Sequence, residues 1–254
     1  MDIKVLGCSG GIGAGLRTTS LLVDHEILID AGSGVGDLTM DEMAAIRHIF
    51  LTHSHLDHIG FIPLLIDAVF EGHTSPITIH GLQETLKAVQ QHIFNWSIWP
   101  NFAELPTPEN PILQFEIMTP GEVMQFENHQ LEMIAVNHSV PGVGYRIESN
   151  GKSMAFSGDT TTNDNFWNVL NSHDALDLLL VEVAFSNDQK WLAEQSYHYC
   201  PELLAADLAK LNHQPEVFLT HLKPGDENAI LDECQQQITT HKIKRLVSGD
   251  TFRL

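Results

Sequence analysis

The stretch Thr52-His53-Ser54-His55-Leu56-Asp57-His58, entered from the apolar Ile49-Phe50-Leu51, is the one on which the fold turns. Three imidazoles and a carboxylate this close together cannot share one face of a helix or of a strand, whose side chains repeat every 3.6 and every 2 residues. A tight turn must fold them back toward a common centre, and a metal pair is the centre that fits. Imidazole nitrogen and carboxylate oxygen are borderline-to-hard donors suited to Zn²⁺, with Mn²⁺ or Fe²⁺ served where oxygens share the coordination. A histidine-rich surface loop would leave the flanks unexplained: an apolar strand leads in, and Ile62, Leu65, Ile66 and Val69 recur at three and four behind, as in a helix that packs inward.

Outward from that stretch, composition sets the frame. The chain has 254 residues and a net charge of −20, from 33 acidic against 13 basic side chains. Its length can bury a large core, as one α/β-type domain or as two fused halves, about 1–148 and 149–254. A surface this acidic repels polyanions and offers no basic stripe for a nucleic-acid backbone, so long nucleic acids are not expected partners; a small anion could still enter a locally positive metal site. No apolar run of about 18 residues is present, so no membrane partner is expected. The opening Met1-Asp2-Ile3-Lys4-Val5-Leu6 lacks the pattern of a secretory signal. Cys8, Cys200 and Cys234 are odd in number and scattered, which argues against a disulfide framework and for a reducing cytoplasm.

Along the chain, a first strand over 3–6 runs into Gly7-Cys8-Ser9-Gly10-Gly11-Ile12-Gly13-Ala14-Gly15. A dinucleotide loop would need a helix next; a hairpin pattern (20–23, 27–29) follows instead, so the glycines are expected to form a flexible loop near the site mouth. Helices are expected over 40–46, 61–70 and 82–94, with strands over 49–51 and 77–79. Residues 95–111 carry Trp96, Trp99, Pro100, Phe102, Pro106, Pro108 and Pro111, a proline density that speaks against regular structure. A loop folded onto its own core is the first reading there, a lid or dimer contact the second. Strands over 112–117, 123–126 and 130–136 read as a meander that ends in Asn137-His138; 144–147 and 153–156 follow, joined at Asn150-Gly151, and the second empties into Ser157-Gly158-Asp159-Thr160. Later come helices near 165–170, 188–194, 201–211 and 228–238, and strands over 178–183, 217–219 and 243–247. Strands then helices, twice over, predict two β-sheets packed face to face with helices outside.

The segment H-x-H-x-D-H (53–58) resembles the signature of the metallo-β-lactamase superfamily of metallohydrolases. That resemblance implies an α+β four-layer αββα sandwich and a dinuclear centre. His53, His55 and His138 would hold one ion, Asp57, His58 and His221 the other, and Asp159 would bridge them. It also implies that Asp30, in Asp30-Ala31-Gly32, buttresses a ligand histidine through its other ring nitrogen rather than binding metal. Glu182 in Leu180-Val181-Glu182-Val183 and His198 in Tyr197-His198-Tyr199-Cys200-Pro201 resemble a pair found in the phosphodiesterase branch, which includes tRNA 3′-processing endonucleases and class II cyclic-nucleotide phosphodiesterases. There the His lies near the leaving group and the Glu orients it, so Asp57, Glu182 and His198 are the candidate catalytic residues. The phrases Gly7-Cys8-Ser9-Gly10-Gly11, Thr18-Thr19-Ser20 and His55-Leu56-Asp57-His58-Ile59-Gly60 look like the cyclic-nucleotide enzymes; between His138 and Asp159 there is only room for two strands and a turn, without an inserted tRNA-binding arm. The resemblance thus implies hydrolysis of a small phosphodiester, foremost a 3′,5′-cyclic nucleotide, to the 5′-nucleotide by a metal-bridged hydroxide. An RNase Z-like nuclease or another small phosphodiester hydrolase is the alternative, and a non-catalytic metal-holding scaffold lies further off. A homodimer is also implied. Histidines 25, 48, 73, 80, 92, 129, 173, 213 and 241 are read as ordinary polar residues, and Ser248-Gly249-Asp250-Thr251 as an echo of 157–160 rather than a second metal site.

Overall fold

The computed structural model describes residues 1–72, 75–126 and 128–254. Strands β1 (Asp2–Gly7), β2 (Ser20–Val23) and β3 (Ile27–Ile29) run antiparallel, and β4 (His48–Phe50) and β5 (Ile77–Gly81) continue the sheet in parallel. After a two-stranded hairpin of β6 (Pro106–Thr107) and β7 (Asn110–Pro111), β8 (Leu113–Ile117) joins β5 in parallel. The second sheet begins with β9 (Val123–Phe126), β10 (His129–Val136), β11 (Gly142–Ser149) and β12 (Lys152–Phe156), antiparallel in succession, and goes on with β13 (Leu178–Glu182), β14 (Glu216–Thr220) and β15 (Ile243–Arg245), all parallel. A last strand, β16 (Thr251–Arg253), returns to pair with β1 and brings the first sheet to seven strands, the number in the second.

Alternation along the strands sorts side chains into an interior between the sheets and one beneath the helices on each outer face. Ile3, Val5, Ile29 and Phe50 of the first sheet meet Leu131, Tyr145, Phe156, Leu178 and Leu180 of the second. Their sequence neighbours point the other way. Leu28 and Ile49 face α3 (Ile62–Val69) and α4 (Gln83–His92), while Leu179, Val181 and Val217 face α5 (Asn165–Asn171), α7 (Pro201–Leu208) and α8 (Glu227–Gln237). Strands covered on both faces read as unbroken apolar runs, as Leu178-Leu179-Leu180-Val181 does. The result is the expected αββα sandwich.

Three local expectations need correction. Residues 112–117 are no part of a meander: β8 lies at the edge of the first sheet, and the meander starts at β9. The closing strand expected over 243–247 ends at Arg245, and the Ser248-Gly249-Asp250-Thr251 echo is a turn into β16, with Gly249 at φ 95°. The proline-rich segment does form two short strands, because Pro106 and Pro111 occupy a two-stranded ribbon where a missing N–H is tolerated. Otherwise that segment folds onto its own core, with Phe102 buried and Trp99 packed against the first sheet's helices, while Trp96 stays exposed.

Candidate metal centre

The site stands where strands end at one edge of the sandwich. β3 delivers Asp30, β4 delivers Thr52 and His53, β10 His138, β12 Asp159, β13 Glu182 and β14 His221. After His55 the chain turns into a single helical turn, α2 (Leu56–Ile59), which puts His58 inside while Asp57 stays half-exposed at the rim. Gly158 allows Asp159 to enter: its φ is 60°, and a Cβ there would lie 2.6 Å from the Val143 carbonyl oxygen.

The donor atoms of His53, His55, His138 and Asp159 all lie within 4.8 Å of one another, as do those of Asp57, His58 and His221. Asp159 stands between the sets, with Oδ2 3.6 Å from His53 Nε2 and 3.2 Å from His58 Nε2, and Oδ1 3.2 Å from His221 Nδ1. His53 Nε2 and His58 Nε2 are buried yet have no partner in hydrogen-bond geometry, a costly state for a polar atom unless something else takes the lone pair. Their other nitrogens are held: His58 Nδ1 to Asp30 Oδ2 at 2.7 Å and His53 Nδ1 to Thr52 Oγ1 at 2.9 Å. His138 Nδ1 donates to the Tyr197 carbonyl at 2.9 Å, and Tyr197 reaches that place through a left-handed φ of 58° at the end of α6 (Lys190–Ser196). Fixing one imidazole nitrogen so that the other faces inward is how proteins orient metal-binding histidines. The seven residues therefore fit two divalent cations.

Electrostatics suit three of the rings to that fit. Burial pushes His53 and His221 well below the usual imidazole value and His138 down to about 4, so these rings are neutral donors. Burial also opposes charge on His58, but the carboxylates of Asp159 and Asp30 outweigh it and raise it well above 6.5. Asp30 is fully buried and accepts from Thr52 N at 2.8 Å and Thr52 Oγ1 at 2.7 Å besides His58.

Beside the cluster, His198 Nδ1 is bonded to Glu182 Oε1 at 2.8 Å, and the His198 ring lies 5.0 Å from His138 and 5.3 Å from His221. Glu182 is fully buried and also accepts from Thr160 N at 3.0 Å and, more weakly, from Tyr199 N at 3.4 Å. Burial works against charge on His198, yet the Glu182 carboxylate and its hydrogen bond win and raise it above the ordinary value.

All nine expected site residues thus meet at one edge, with Asp30 bonded behind His58. Of the remaining histidines, His129 bonds Asp24, His173 bonds Glu132 and His213 bonds the Leu170 carbonyl, while His48 and His80 bond each other; His73 lies outside the described residues. The Gly7–15 stretch needs correction from flexible to anchored over its first half. Cys8 and Ser9 donate to the Arg17 carbonyl, Gly10 to that of Leu222, and His221 N to that of Cys8. One contributor carried no sequence signal, the Tyr197 carbonyl, because backbone groups are the same in every residue. A groove of about 430 Å³ between β1, β2 and β16 holds none of these residues, and its Lys4 and Arg253 are already paired with Glu42 and Asp2.

The family model described as a beta-lactamase superfamily domain matches residues 25–222. A probable 3′,5′-cyclic-nucleotide phosphodiesterase of Yersinia pestis is 25% identical over 92% of this chain and 83% of its own. A ribonuclease Z of Acaryochloris marina is 30% identical over 63% of this chain and 51% of its own length. Among solved structures, unliganded yeast PDE1 superposes with a TM-score of 0.84 at 19% identity, covering 100% of this chain and 99% of that one. With the family model spanning the stretch from Asp30 to His221 and the sandwich around it, this chain belongs to the metallo-β-lactamase superfamily of metal-dependent hydrolases.

Proposed function

We propose that the chain is a dinuclear phosphodiesterase of small substrates, with 3′,5′-cyclic nucleotides foremost and 5′-nucleotides as products. The observation that carries this reading is the buried Glu182–His198 pair against the ligand cluster, since a hydrolase of carbon esters would have less use for a dedicated proton donor. Relatives named as cyclic-nucleotide phosphodiesterases support it.

In this reading His53, His55 and His138 would hold one cation and Asp57, His58 and His221 the other, with Asp159 serving both sets. Zn²⁺ is the cation expected, because five of these seven residues are imidazoles. When bound, the cations supply Lewis-acid polarisation of the phosphate and acidify a coordinated water. The chain does the rest. Glu182 keeps the His198 Nδ1 proton engaged and favours the charged ring, so Nε2 can give its proton to the departing 3′ oxygen. Thr160 N–H and Tyr199 N–H keep Glu182 from swinging away, and Asp30 with Thr52 keeps the metal-binding loop against the end of β4. A net charge of −20, and a span from β10 to Asp159 filled by β11 and β12 alone, favour a small substrate over a long RNA.

The test is turnover of cAMP, cGMP, a linear dinucleotide and an unstructured pre-tRNA by Zn²⁺- or Mn²⁺-loaded protein. EDTA-sensitive ring opening to the 5′-monophosphate is expected. Cleavage of the linear diester or the pre-tRNA alone would replace the substrate while keeping the site, and no turnover of any of the four by metal-loaded protein would reject the reading.

A further inference from the structure

We propose that Lys223 is the cationic element of an anion subsite at the rim of the metal centre, taking a non-bridging oxygen of an anionic phosphate ester; this rests on the phosphodiesterase reading and adds to it the selection of charged over neutral esters. Three strand ends converge on this side chain. His221, just past β14, has a left-handed φ of 63°, and two residues on the Lys223 N–H donates to the Ala184 carbonyl beyond β13 at 3.1 Å. Its Nζ donates to the carbonyl of Gly10, beyond β1, at 2.8 Å. Gly10 is pressed onto the ligand itself, since a Cβ there would lie 2.3 Å from the His221 carbonyl oxygen. The ammonium stands 5.7 Å from the centre of the Phe185 ring, and that ring is 5.8 Å from the ring of His198.

Nine other lysines and arginines stand within salt-bridge distance of a carboxylate, while Lys223 has none among the described residues, although acidic side chains outnumber basic ones by 33 to 13. A carbonyl and an aromatic face fix its position without neutralising it, and an ammonium with one proton so engaged has two left to donate. In-line attack on a phosphodiester increases the negative charge on the non-bridging oxygens, so the contact strengthens toward the transition state. A neutral ester presents no such charge.

Lys223→Gln keeps a donor for the Gly10 carbonyl and removes the charge; Lys223→Arg keeps the charge. Both are compared with wild type, metal-loaded, by calorimetric titration with inorganic phosphate and by turnover of bis(4-nitrophenyl) phosphate and of the neutral 4-nitrophenyl acetate. The Gln variant is expected to bind phosphate about tenfold more weakly and to lose roughly 10- to 100-fold in kcat/KM on the diester, the range of a charge-assisted hydrogen bond. Metal content and the acetate rate stay unchanged, and the Arg variant recovers most of the loss. Phosphate affinity within twofold of wild type in the Gln variant overturns the proposal, and so do equal losses on diester and acetate, which would mean a displaced loop. If wild type turns over no diester, the phosphodiesterase reading falls, while the phosphate titration still decides the role of Lys223.

Discussion

At the scale of single residues, the proposed reading gives Asp159 the holding of metal and His198 the moving of a proton. Asp159 is buried between both donor sets, so Asp159→Ala should lose metal and activity together, as elemental analysis beside an activity assay would show. His198 sits next to the donors but is tied to Glu182. His198→Ala should therefore keep its metal and lose about 10²–10⁴ in turnover of cAMP, with a far smaller loss on a nitrophenyl diester whose leaving group needs no proton. A fully active variant on cAMP would remove His198 from the mechanism. Asp30 is a third kind of residue, a carboxylate behind the site that satisfies Thr52 N, Thr52 Oγ1 and His58 Nδ1 with no exposure to water. Asp30→Ala leaves Thr52 N and His58 Nδ1 without their acceptor and should cost about 3–5 kcal/mol in the metal-free protein, by analogy with broken buried pairs; urea denaturation measures it, and a loss under ~1 kcal/mol would show that the loop stands without Asp30.

At the scale of elements, β4 and β5 carry a histidine pair remote from the chemistry. His80 stacks on Phe50 with centroids 4.4 Å apart, and its Nε2 is 2.9 Å from His48 Nδ1. Burial foremost, then the neighbouring His48, pushes His80 from 6.5 down to about 3. Below pH 6.5 the unfolded chain takes up a proton that the folded chain refuses, so His80 lowers stability progressively as pH falls toward 3 and has no effect above neutrality. His80→Phe preserves the stack and should flatten the acid limb, by about 2 kcal/mol between pH 7 and pH 5 relative to wild type. Denaturation at the two pH values reads this slope, and parallel acid limbs would mean that His80 protonates freely in the fold.

At the scale of the whole molecule, the cations would join what β4, β10, β12 and β14 bring together from both sheets. Metal removal should accordingly lower the melting temperature and not only the activity: a cation at 100 times its Kd adds about 2.7 kcal/mol, worth several degrees in a domain of this size. Calorimetry with EDTA, then with Zn²⁺ or Mn²⁺ restored, checks this, and an unmoved melting point would place the ligands on elements that hold together without metal. The ligand loop, the buried strand before it and the helix behind it were legible in the sequence because each is a local signal, written in residue type and in period. The late residues His138, Asp159, Glu182 and His221 were legible only as polar groups at strand ends, and resemblance joined them into a set. The tertiary structure alone decided that β8 and β16 complete the first sheet, that the Tyr197 carbonyl holds His138, and that Lys223 lies across Gly10 against Phe185. Strand partners, backbone carbonyls and the resting place of a long cationic side chain are set by packing between segments far apart in the chain, and periodicity carries no record of which segment meets which.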